Sequence, residues 1–235
     1  MSAKALNTLC IDVGGTGLKI MLLDANGKPL TERLRTPTPK VPTPARVIAA
    51  LEKLKAQVPA FHRVSVGFPG VVKRGTIYTA VNLNPKWVGF NLQGELEKRW
   101  KKPVRVANDA AVQGFAAIRG QGVEMILTLG TGLGSALYTE GHLCPGLELG
   151  HHPWIKNKTY EDFLGKHGLK KYGKKYWNKL VEKAVEQSSA TFNWDHLYIG
   201  GGNSKEIKFK LAENVTVISN EDGLLGGVSL WLHDS

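Results

Sequence analysis

The sequence has little cysteine and no long apolar run, and both shortages narrow the class of protein. Its 235 residues include only two cysteines, Cys10 and Cys144, too few for a disulfide framework or a four-cysteine zinc site. No apolar stretch approaches the roughly 20 residues that a membrane span requires. The N-terminal residues lack the apolar core of a signal peptide. We therefore expect a cytoplasmic protein without a membrane partner.

Acidic residues are also in short supply relative to basic ones. The chain has 31 Lys and Arg against 20 Asp and Glu, which gives a formal net charge of +11 at pH 7. Such a balance favours a polyanionic partner, which could be nucleic acid, an anionic membrane surface or a phosphate polymer. Solubility alone is the alternative, and composition does not choose between them.

Apolar patterning predicts the same order of elements in both halves of the chain. In the first half we predict strands at 8–12, 18–24, 30–36, 63–68 and 103–107, a hairpin at 71–79, and helices beginning at Pro44 and spanning 92–100. In the second half we predict strands at 124–129, 134–139, 197–202 and 215–219, a long basic helical region, and a helix near 204–211. Each half therefore starts with a meander and continues through helix and strand.

A repeated turn supports an internal duplication. The segment Gly15-Thr16-Gly17-Leu18 recurs 115 residues later as Gly130-Thr131-Gly132-Leu133, and each copy lies between two predicted strands. Two similar α/β lobes would bring both turns to the rim of a central cleft, where ligands bind. We predict lobes at 1–107 and 108–222, with a C-terminal helix at 223–235 that packs back on the first.

The glycine turns match neither common nucleotide motif. The first has neither the spacing of a P-loop nor the third glycine of a dinucleotide fingerprint. A β-turn-β glycine loop can still direct several N–H groups at an anion, although a permissive hairpin is the simpler interpretation of one such turn. Two matched turns, together with the run Gly200-Gly201-Gly202, favour phosphate binding.

Two groups of polar residues are candidates for chemistry. Asn108 and Asp109 follow a predicted buried strand, so either could be a helix N-cap, and a carboxylate there could instead accept a proton from a substrate hydroxyl. Glu148 and His151 are either polar residues of a surface loop or hydrogen-bond partners for a polyhydroxylated ligand. With His142 and Cys144 nearby a metal site is conceivable, but the spacing fits no standard zinc pattern.

Seven motifs resemble the ROK family of sugar kinases, and within it the polyphosphate glucokinases. They occur in this order: DVGGTGLK, VNLNPKWVGF, ANDA, TLGTGLGSALYTEG, LELGHH, LYIGGGNSK and NEDGLLGGVSLW. The resemblance runs from about residue 9 to residue 231. It implies an α/β actin-like (ribonuclease H-like) ATPase fold, with two duplicated lobes around a central cleft. It also implies a homodimer.

The resemblance implies a role for each matching residue. It makes Asp109 the general base for the sugar hydroxyl and Asp12 the carboxylate near Mg²⁺. Sugar contacts would come from Gly70, Asn82, Asn108, Asp109, Glu148 and His151. Donor phosphates and nucleotide would be bound by Asp12, Gly14, Gly15, Thr16, Lys19, Gly130, Thr131, Gly132, Gly200, Gly201 and Gly202.

The implied reaction transfers a phosphoryl group from polyphosphate, ATP or both to the 6-hydroxyl of glucose. Two alternatives remain: an ATP-dependent kinase for mannose or an N-acetylated hexosamine, and a non-catalytic basic protein that senses sugar or binds nucleic acid. ROK members often carry a cysteine-rich zinc segment after Glu-x-x-His, but no cysteine follows His151, so we expect no zinc. ROK repressors begin with a helix-turn-helix; here about eight residues precede the first strand, so we expect no nucleic-acid partner.

A lysine-rich segment is a candidate for binding a phosphate polymer. Nine lysines and three acids lie between Lys156 and Lys183. An uninterrupted helix would align many of these lysines on one face, and we predict polyphosphate contacts from Lys170, Lys171, Lys174 and Lys175. Gly168 and Gly173 could break the helix, and a solvated surface is the alternative interpretation.

Overall fold

A computed structural model describes residues 6–80, 83–144, 146–218 and 222–232. The chain divides into two compact units, one comprising Met1–Ala116 and Gly223–Ser235, the other Ala117–Asp222. We predicted that the second lobe begins at 108, but the helix that follows Asn108 belongs to the first unit because it packs on that unit's strands. Asn82 lies outside the described residues.

The first unit has a five-stranded sheet in the order β3-β2-β1-β4-β7. Its strands are β1 (Thr8–Val13), β2 (Gly17–Leu23), β3 (Leu34–Pro37), β4 (Arg63–Phe68) and β7 (Val104–Asn108), and β5 (Val72–Lys73) and β6 (Thr76–Ile77) form a separate hairpin. β1 is antiparallel to β2 and parallel to β4. Both central strands are buried along nearly their whole length, as expected for strands covered on two faces.

The described residues of the first unit include the α-helices α1 (Pro44–Lys55), α2 (Leu92–Trp100) and α3 (Asp109–Phe115). α1 begins as predicted, because the Thr43 side chain accepts a hydrogen bond from the Arg46 N–H and proline occupies the first helical position. Its buried residues Val47, Ile48, Leu51 and Leu54 join the main core of the unit. The sequence pattern therefore predicted both the start and the buried face of this helix.

The second unit repeats the architecture of the first. Its sheet has the order β10-β9-β8-β13-β14, formed by β8 (Val123–Leu129), β9 (Leu133–Thr139), β10 (His142–Cys144), β13 (His196–Gly200) and β14 (Val215–Val217). β11 (Pro153–Ile155) and β12 (Lys158–Thr159) form a small hairpin, followed by α4 (Tyr160–Leu164) and α5 (Lys166–Phe192). In both sheets an antiparallel meander is followed by two parallel strands, so the predicted duplication is confirmed.

The third strand and the helix at 204–211 differ from their predictions. The third strand begins at Leu34 rather than residue 30, because the Leu22 N–H binds the Thr31 hydroxyl instead of a backbone carbonyl. The helix predicted at 204–211 is a 3₁₀ turn, Ser204–Glu206. The reason is Asn178 on α5, which accepts from the Lys208 N–H and donates to the Glu206 carbonyl, so this backbone bonds to α5 rather than to itself.

The predicted C-terminal helix is instead a pair of 3₁₀ turns, Asp222–Gly227 and Ser229–Trp231. Three glycines, Gly223, Gly226 and Gly227, lower the helical propensity of this segment, and the last two allow it to approach its neighbours closely. A Cβ added to Gly226 would lie 1.9 Å from the Val112 carbonyl oxygen, and one added to Gly227 would lie 2.5 Å from Cys10 Sγ. The segment packs against the first unit, with Leu224 and Val228 in a buried cluster.

Across the described part of the chain, every helix is either too short or too polar to span a lipid bilayer.

Candidate functional site

The carboxyl end of β7 carries Asn108 and Asp109. Asn108 is the N-cap of α3, since its Oδ1 accepts from the Ala110 and Ala111 N–H groups at 2.9 and 3.3 Å. Asp109 is the first residue of the helix, and its Oδ1 accepts from the Ala110 N–H at 2.8 Å. The structure therefore identifies Asn108 as the N-cap and Asp109 as the first residue of α3.

Gly70 lies beside this strand end. β4 runs parallel to β7 with Phe68 opposite Asn108, and the Asn108 Nδ2 donates to the Gly70 carbonyl at 3.2 Å. The absence of a side chain at Gly70 is required, because a Cβ would lie 2.1 Å from the Thr79 carbonyl oxygen. Three predicted sugar-site residues, Gly70, Asn108 and Asp109, are therefore neighbours within the first unit.

The first glycine turn joins β1 to β2. The Gly14 N–H donates to the Gly17 carbonyl at 3.0 Å, which closes the turn. Asp12 and Lys19 lie opposite each other on these strands, and the Lys19 ammonium lies 2.7 Å from Asp12 Oδ2. Both side chains are about a quarter to a third exposed, at 26% and 31%, so the pair lies at the surface beside the turn.

Arg35 is a cation at this turn that the sequence analysis did not identify. It lies on β3 opposite Lys19, and its Nε is 3.0 Å from the position of a Cβ on Gly17. Its only sequence signal is its place in the predicted third strand, whose start was predicted four residues before that of β3.

The second glycine turn joins β8 to β9 and is bonded on several sides. The Gly130 N–H donates to the Gly132 carbonyl at 3.0 Å. The Gly130 carbonyl in turn accepts from the Lys166 N–H and from Asn203 Nδ2, both at 2.9 Å. Neither Lys166 nor Asn203 was identified from sequence, since each lies far along the chain from residue 130.

The run of three glycines packs against the same turn. Gly201 has φ +85°, and a Cβ there would lie 2.4 Å from the Leu129 carbonyl oxygen. The Asn203 N–H donates to that same carbonyl at 2.8 Å. The two glycine segments predicted to bind donor, residues 130–132 and 200–202, are therefore adjacent within the second unit.

Glu161 on α4 is a further carboxylate that the sequence analysis did not identify. Its Oε2 accepts from the Leu133 N–H at 3.1 Å, and a Cβ on Gly132 would lie 1.9 Å from that oxygen. Gly132 therefore leaves the space that the carboxylate needs in order to reach the turn.

Glu148 and His151 lie next to a 3₁₀ turn, Leu149–His151. The Ser135 hydroxyl on β9 holds this segment, since it donates to the Leu147 carbonyl at 3.3 Å and accepts from the Leu149 N–H at 3.0 Å. Glu148 Oε2 lies 3.8 Å from His151 Nδ1. Burial raises the pKa of Glu148, and the charge of Glu161 raises that pKa further while His151 opposes the shift. The Glu148 side chain is only 24% exposed, so it is partly buried rather than freely solvated.

Within the described ranges, no group of three His, Cys, Asp or Glu side chains could hold a metal ion. His142 Nδ1 instead lies 2.9 Å from the Glu140 carbonyl oxygen, and Cys144 Sγ lies 3.6 Å from the Thr139 hydroxyl.

The lysine-rich helix α5 is interrupted at Gly173, one of the two glycines that the sequence identified as possible breaks. Gly173 has φ 73° and ψ 157°, which breaks the helix between Lys170 and Lys174. Lys174 forms an ion pair with Glu206 at 2.6 Å, and the Lys171 ammonium lies 5.4 Å from the Tyr172 ring centroid. Lys170, Lys171, Lys174 and Lys175 are exposed, but they belong to two helical segments rather than one continuous face.

Several known proteins are similar to this chain over nearly all of its length. The polyphosphate glucokinase of Mycobacterium tuberculosis (strain CDC 1551 / Oshkosh) is 29% identical over 246 aligned positions, which cover 96% of this chain and 91% of the relative. The crystal structure of the inorganic polyphosphate/ATP-glucomannokinase from Arthrobacter sp. strain KM is 30% identical. It has a TM-score of 0.86, with 97% of this chain and 100% of that chain covered.

A third relative matches only part of the chain. The N-acetylmannosamine kinase of Escherichia coli (strain SE11) is 33% identical over 150 residues, which cover 60% of this chain and 50% of the relative. The predicted α/β actin-like ATPase fold is confirmed by the structural likeness to the glucomannokinase together with the duplicated sheets. The model of the ROK family matches residues 8–168. Because this match spans more than half of the sequence, the chain belongs to the ROK family.

Proposed function

We propose that the protein is a hexose kinase that transfers a phosphoryl group from polyphosphate or ATP to the 6-hydroxyl of glucose. The observation that carries the proposal is the end of β7, where Asp109 follows an N-cap asparagine whose amide is bonded to Gly70. The names of two relatives that cover most of the chain, a polyphosphate glucokinase and a polyphosphate/ATP-glucomannokinase, support the choice of donor and sugar.

Asp109 is assigned the role of general base. A carboxylate within hydrogen-bond reach of the 6-hydroxyl accepts its proton as the new O–P bond forms. Asn108 makes two contacts: its side-chain oxygen caps α3, and its amide donates a hydrogen bond to the Gly70 carbonyl. Asn108 thereby fixes the backbone from which Asp109 projects, and its position suits a direct contact with the sugar.

The second unit is assigned further contacts with the two substrates. Glu148 and His151 would accept and donate hydrogen bonds to sugar hydroxyls. The N–H groups of the turn at residues 130–132 would bind donor phosphate, and the glycines at 200–202 would leave room for the nucleoside of ATP.

Asp12 fits a role beside Mg²⁺. Mg²⁺ is usually bound through one or two carboxylates plus substrate phosphates and water, not by an all-protein cage. Asp12 offers one such carboxylate next to the first glycine turn, where Lys19 lies 2.7 Å from its Oδ2. When bound, the ion would neutralise charge on the donor phosphates. The residues Gly14, Gly15 and Thr16 would hold those phosphates through backbone N–H groups.

A second candidate function is an ATP-dependent kinase for an N-acetylated hexosamine. It is favoured by the 33% identity to the N-acetylmannosamine kinase. We rank it lower because that match covers only 60% of this chain, whereas the polyphosphate glucokinase match covers 96%.

The proposal is tested by measuring initial rates with Mg²⁺ and each pairing of glucose, mannose or N-acetylmannosamine with ATP or polyphosphate. We expect glucose 6-phosphate as a product, and Asp109→Asn should lower kcat by about 10²- to 10⁴-fold with either donor. Glucose affinity, measured by calorimetry, should remain close to that of the wild type because the amide keeps the shape of the side chain.

Glu186→Gln is the matched control, because it neutralises an exposed carboxylate on α5 and should leave kcat unchanged. Near-normal turnover by Asp109→Asn would show that Asp109 is not the general base. Product from N-acetylmannosamine alone would favour the second candidate, and the absence of any sugar phosphate would refute both.

A further inference from the structure

Arg35 belongs to a row of charged side chains that crosses the first sheet. Asp12 on β1 is opposite Lys19 on β2, and Lys19 is opposite Arg35 on β3. Residues directly opposite each other on paired strands project from the same face of a sheet. The row therefore places one carboxylate and two cations side by side, with the cations toward the β3 edge of the sheet.

The row faces away from α1. Ile20 and Leu34, which are the chain neighbours of Lys19 and Arg35, pack in the core that contains the buried residues of α1. Because successive side chains of a strand point to opposite faces, Lys19 and Arg35 project from the other face of the sheet.

The face that carries the row also carries Asp109. Asp12 is opposite Gly67 on β4, so Gly67 continues the row on its other side. A Cβ on Gly67 would lie 3.4 Å from Asp109 Cα and 3.7 Å from Asp109 Cβ. The row therefore leads from the proposed general base, past the proposed magnesium carboxylate, to Arg35.

Arg35 stands at the end of the row that is far from the sugar. Neighbouring strands lie about 4.8 Å apart, so three strand spacings separate the backbone of Arg35 from that of Gly67 by roughly 14 Å. The hydroxyl that Asp109 would deprotonate lies at the Gly67 end, and the transferred phosphate lies next to that hydroxyl. A cation at the opposite end is placed for a phosphate that stays with the donor.

The Arg35 side chain lies against the first glycine turn. Its Nε, Nη2 and Cζ atoms lie 3.0, 3.4 and 3.6 Å from the position of a Cβ on Gly17. The chain just after β3 also supports the turn, since the Thr38 hydroxyl donates to the Gly14 carbonyl at 2.5 Å and the Thr38 N–H donates to the Thr16 carbonyl at 3.4 Å. The segment that carries Arg35 is therefore hydrogen-bonded to the turn that would bind phosphate.

The charge of Arg35 is available to a ligand, whereas that of Lys19 is shared. Lys19 Nζ lies 2.7 Å from Asp12 Oδ2, so these two charges offset each other. Arg35 is exposed, and among the described residues no carboxylate lies within 4.0 Å of it. The positive charge that the row has in excess is therefore at Arg35, and a guanidinium can bind two phosphate oxygens at once.

We propose that Arg35 binds a phosphate of the donor that is not transferred, beside the first glycine turn. The inference rests on the proposed function, which supplies the donor. It concerns the feature that ATP and polyphosphate share, a phosphate that follows the terminal one. Arg35 is therefore a donor-binding residue that contributes to donor affinity and not to sugar affinity.

The test is Arg35→Gln in the full-length protein, compared with the wild type by calorimetry. The probes are ATP and inorganic tripolyphosphate, each with Mg²⁺. We expect the Kd of both to rise roughly tenfold, as for the loss of a hydrogen bond between charged groups. The KM values for ATP and polyphosphate should rise by a similar factor, while the Kd for glucose and the free energy of unfolding stay unchanged. Arg35→Lys should recover part of the affinity, because it keeps the charge but not the fork.

Arg46→Gln is the matched control. It removes the same charge from an exposed arginine of the first unit, on α1 and so on the other side of the sheet. This control should bind both probes like the wild type. An equal loss in the control would show that net charge alone acts, and wild-type affinity of Arg35→Gln for the probes would overturn the proposal.

The remaining outcomes also decide the matter. A loss confined to ATP, when the wild type binds both probes, would mean that Arg35 contacts the nucleoside and not the shared phosphate. Equal losses of donor affinity, glucose affinity and stability would show a structural role; either result would overturn the proposal. If no donor gave sugar phosphate, the proposed function would fail, but calorimetry with the probes would still decide whether Arg35 binds phosphate.

Discussion

At the scale of single residues, Glu148 links local packing to pH. Burial raises the pKa of Glu148, with a further contribution from the charge of Glu161. The folded protein therefore holds this proton more tightly than the unfolded chain does. By linkage, the contribution of Glu148 to stability is complete below its ordinary pKa of 4.5 and is lost as the pH rises through the raised value.

Glu148→Gln should remove this pH dependence, because glutamine has a similar shape and does not ionise. We expect the free energy of unfolding of the wild type, relative to that of the variant, to decline as the pH rises above about 4.5 and then to level off. Urea unfolding of both proteins between pH 4 and 8 measures the difference. A difference that stayed constant or rose with pH would contradict the shift.

Asn108 and Asp109 illustrate how far single residues could be predicted. The letters ANDA after an apolar strand predicted a helix start with a carboxylate in its first turn. They did not reveal which residue is the cap, because Asn and Asp serve equally well. In the structure Asn108 is the cap, and its amide also donates a hydrogen bond to the carbonyl of Gly70, which lies 38 residues away in the chain. Likewise, Glu161 reaches Leu133 through a contact that no local pattern encodes.

At the scale of elements, the break in α5 depends on one glycine. Gly173 has φ 73° and ψ 157°, a region essentially restricted to glycine. No atom lies within 4 Å of a Cβ added there. Any effect of a substitution is therefore due to the backbone rather than to crowding.

We expect Gly173→Ala to lower the free energy of unfolding by roughly 1–3 kcal/mol, as measured by urea denaturation. Gly202→Ala is the control, because that position also has open space around a Cβ but lacks a positive φ. It should change stability by less than the Gly173 variant does. Equal stability of the Gly173 variant and the wild type would mean that the helix tolerates alanine and that α5 continues through this position.

Elements specified by local signals could be predicted, and those specified by distant contacts could not. α1 carries its own cap, proline and apolar face, and β8 and β9 are mostly buried strands joined by a glycine turn. The 204–211 segment was predicted to be a helix, although its apolar residues Ile207, Phe209 and Leu211 alternate with lysines. Asn178 on α5 takes its backbone hydrogen bonds. The kink at Gly173 could be anticipated as a possible break, but its geometry depends on the packing of the helices on both sides.

At the scale of the whole molecule, the first unit is assembled from both ends of the chain. Residues from Gly223 onward return to it after the second unit. Ser65 on β4 connects the two parts, because its hydroxyl donates to the Gly227 carbonyl and accepts from the Trp231 indole N–H at 2.8 Å. The indole ring also lies within 5.1 Å of the Arg63 guanidinium and 4.8 Å of that of Arg105.

Trp231→Ala should therefore loosen the first unit while leaving the second intact. The loss of one hydrogen bond and two cation–π contacts predicts a destabilisation of about 2–3 kcal/mol. Hydrogen exchange should show faster exchange in β1 and β4, with protection in β8 and β13 unchanged. Leu232→Ala is the control, since that neighbouring side chain is 70% exposed and should have little effect. Equal acceleration in both sheets would show that the two units unfold together, because the C-terminal segment would then stabilise the chain as one cooperative body.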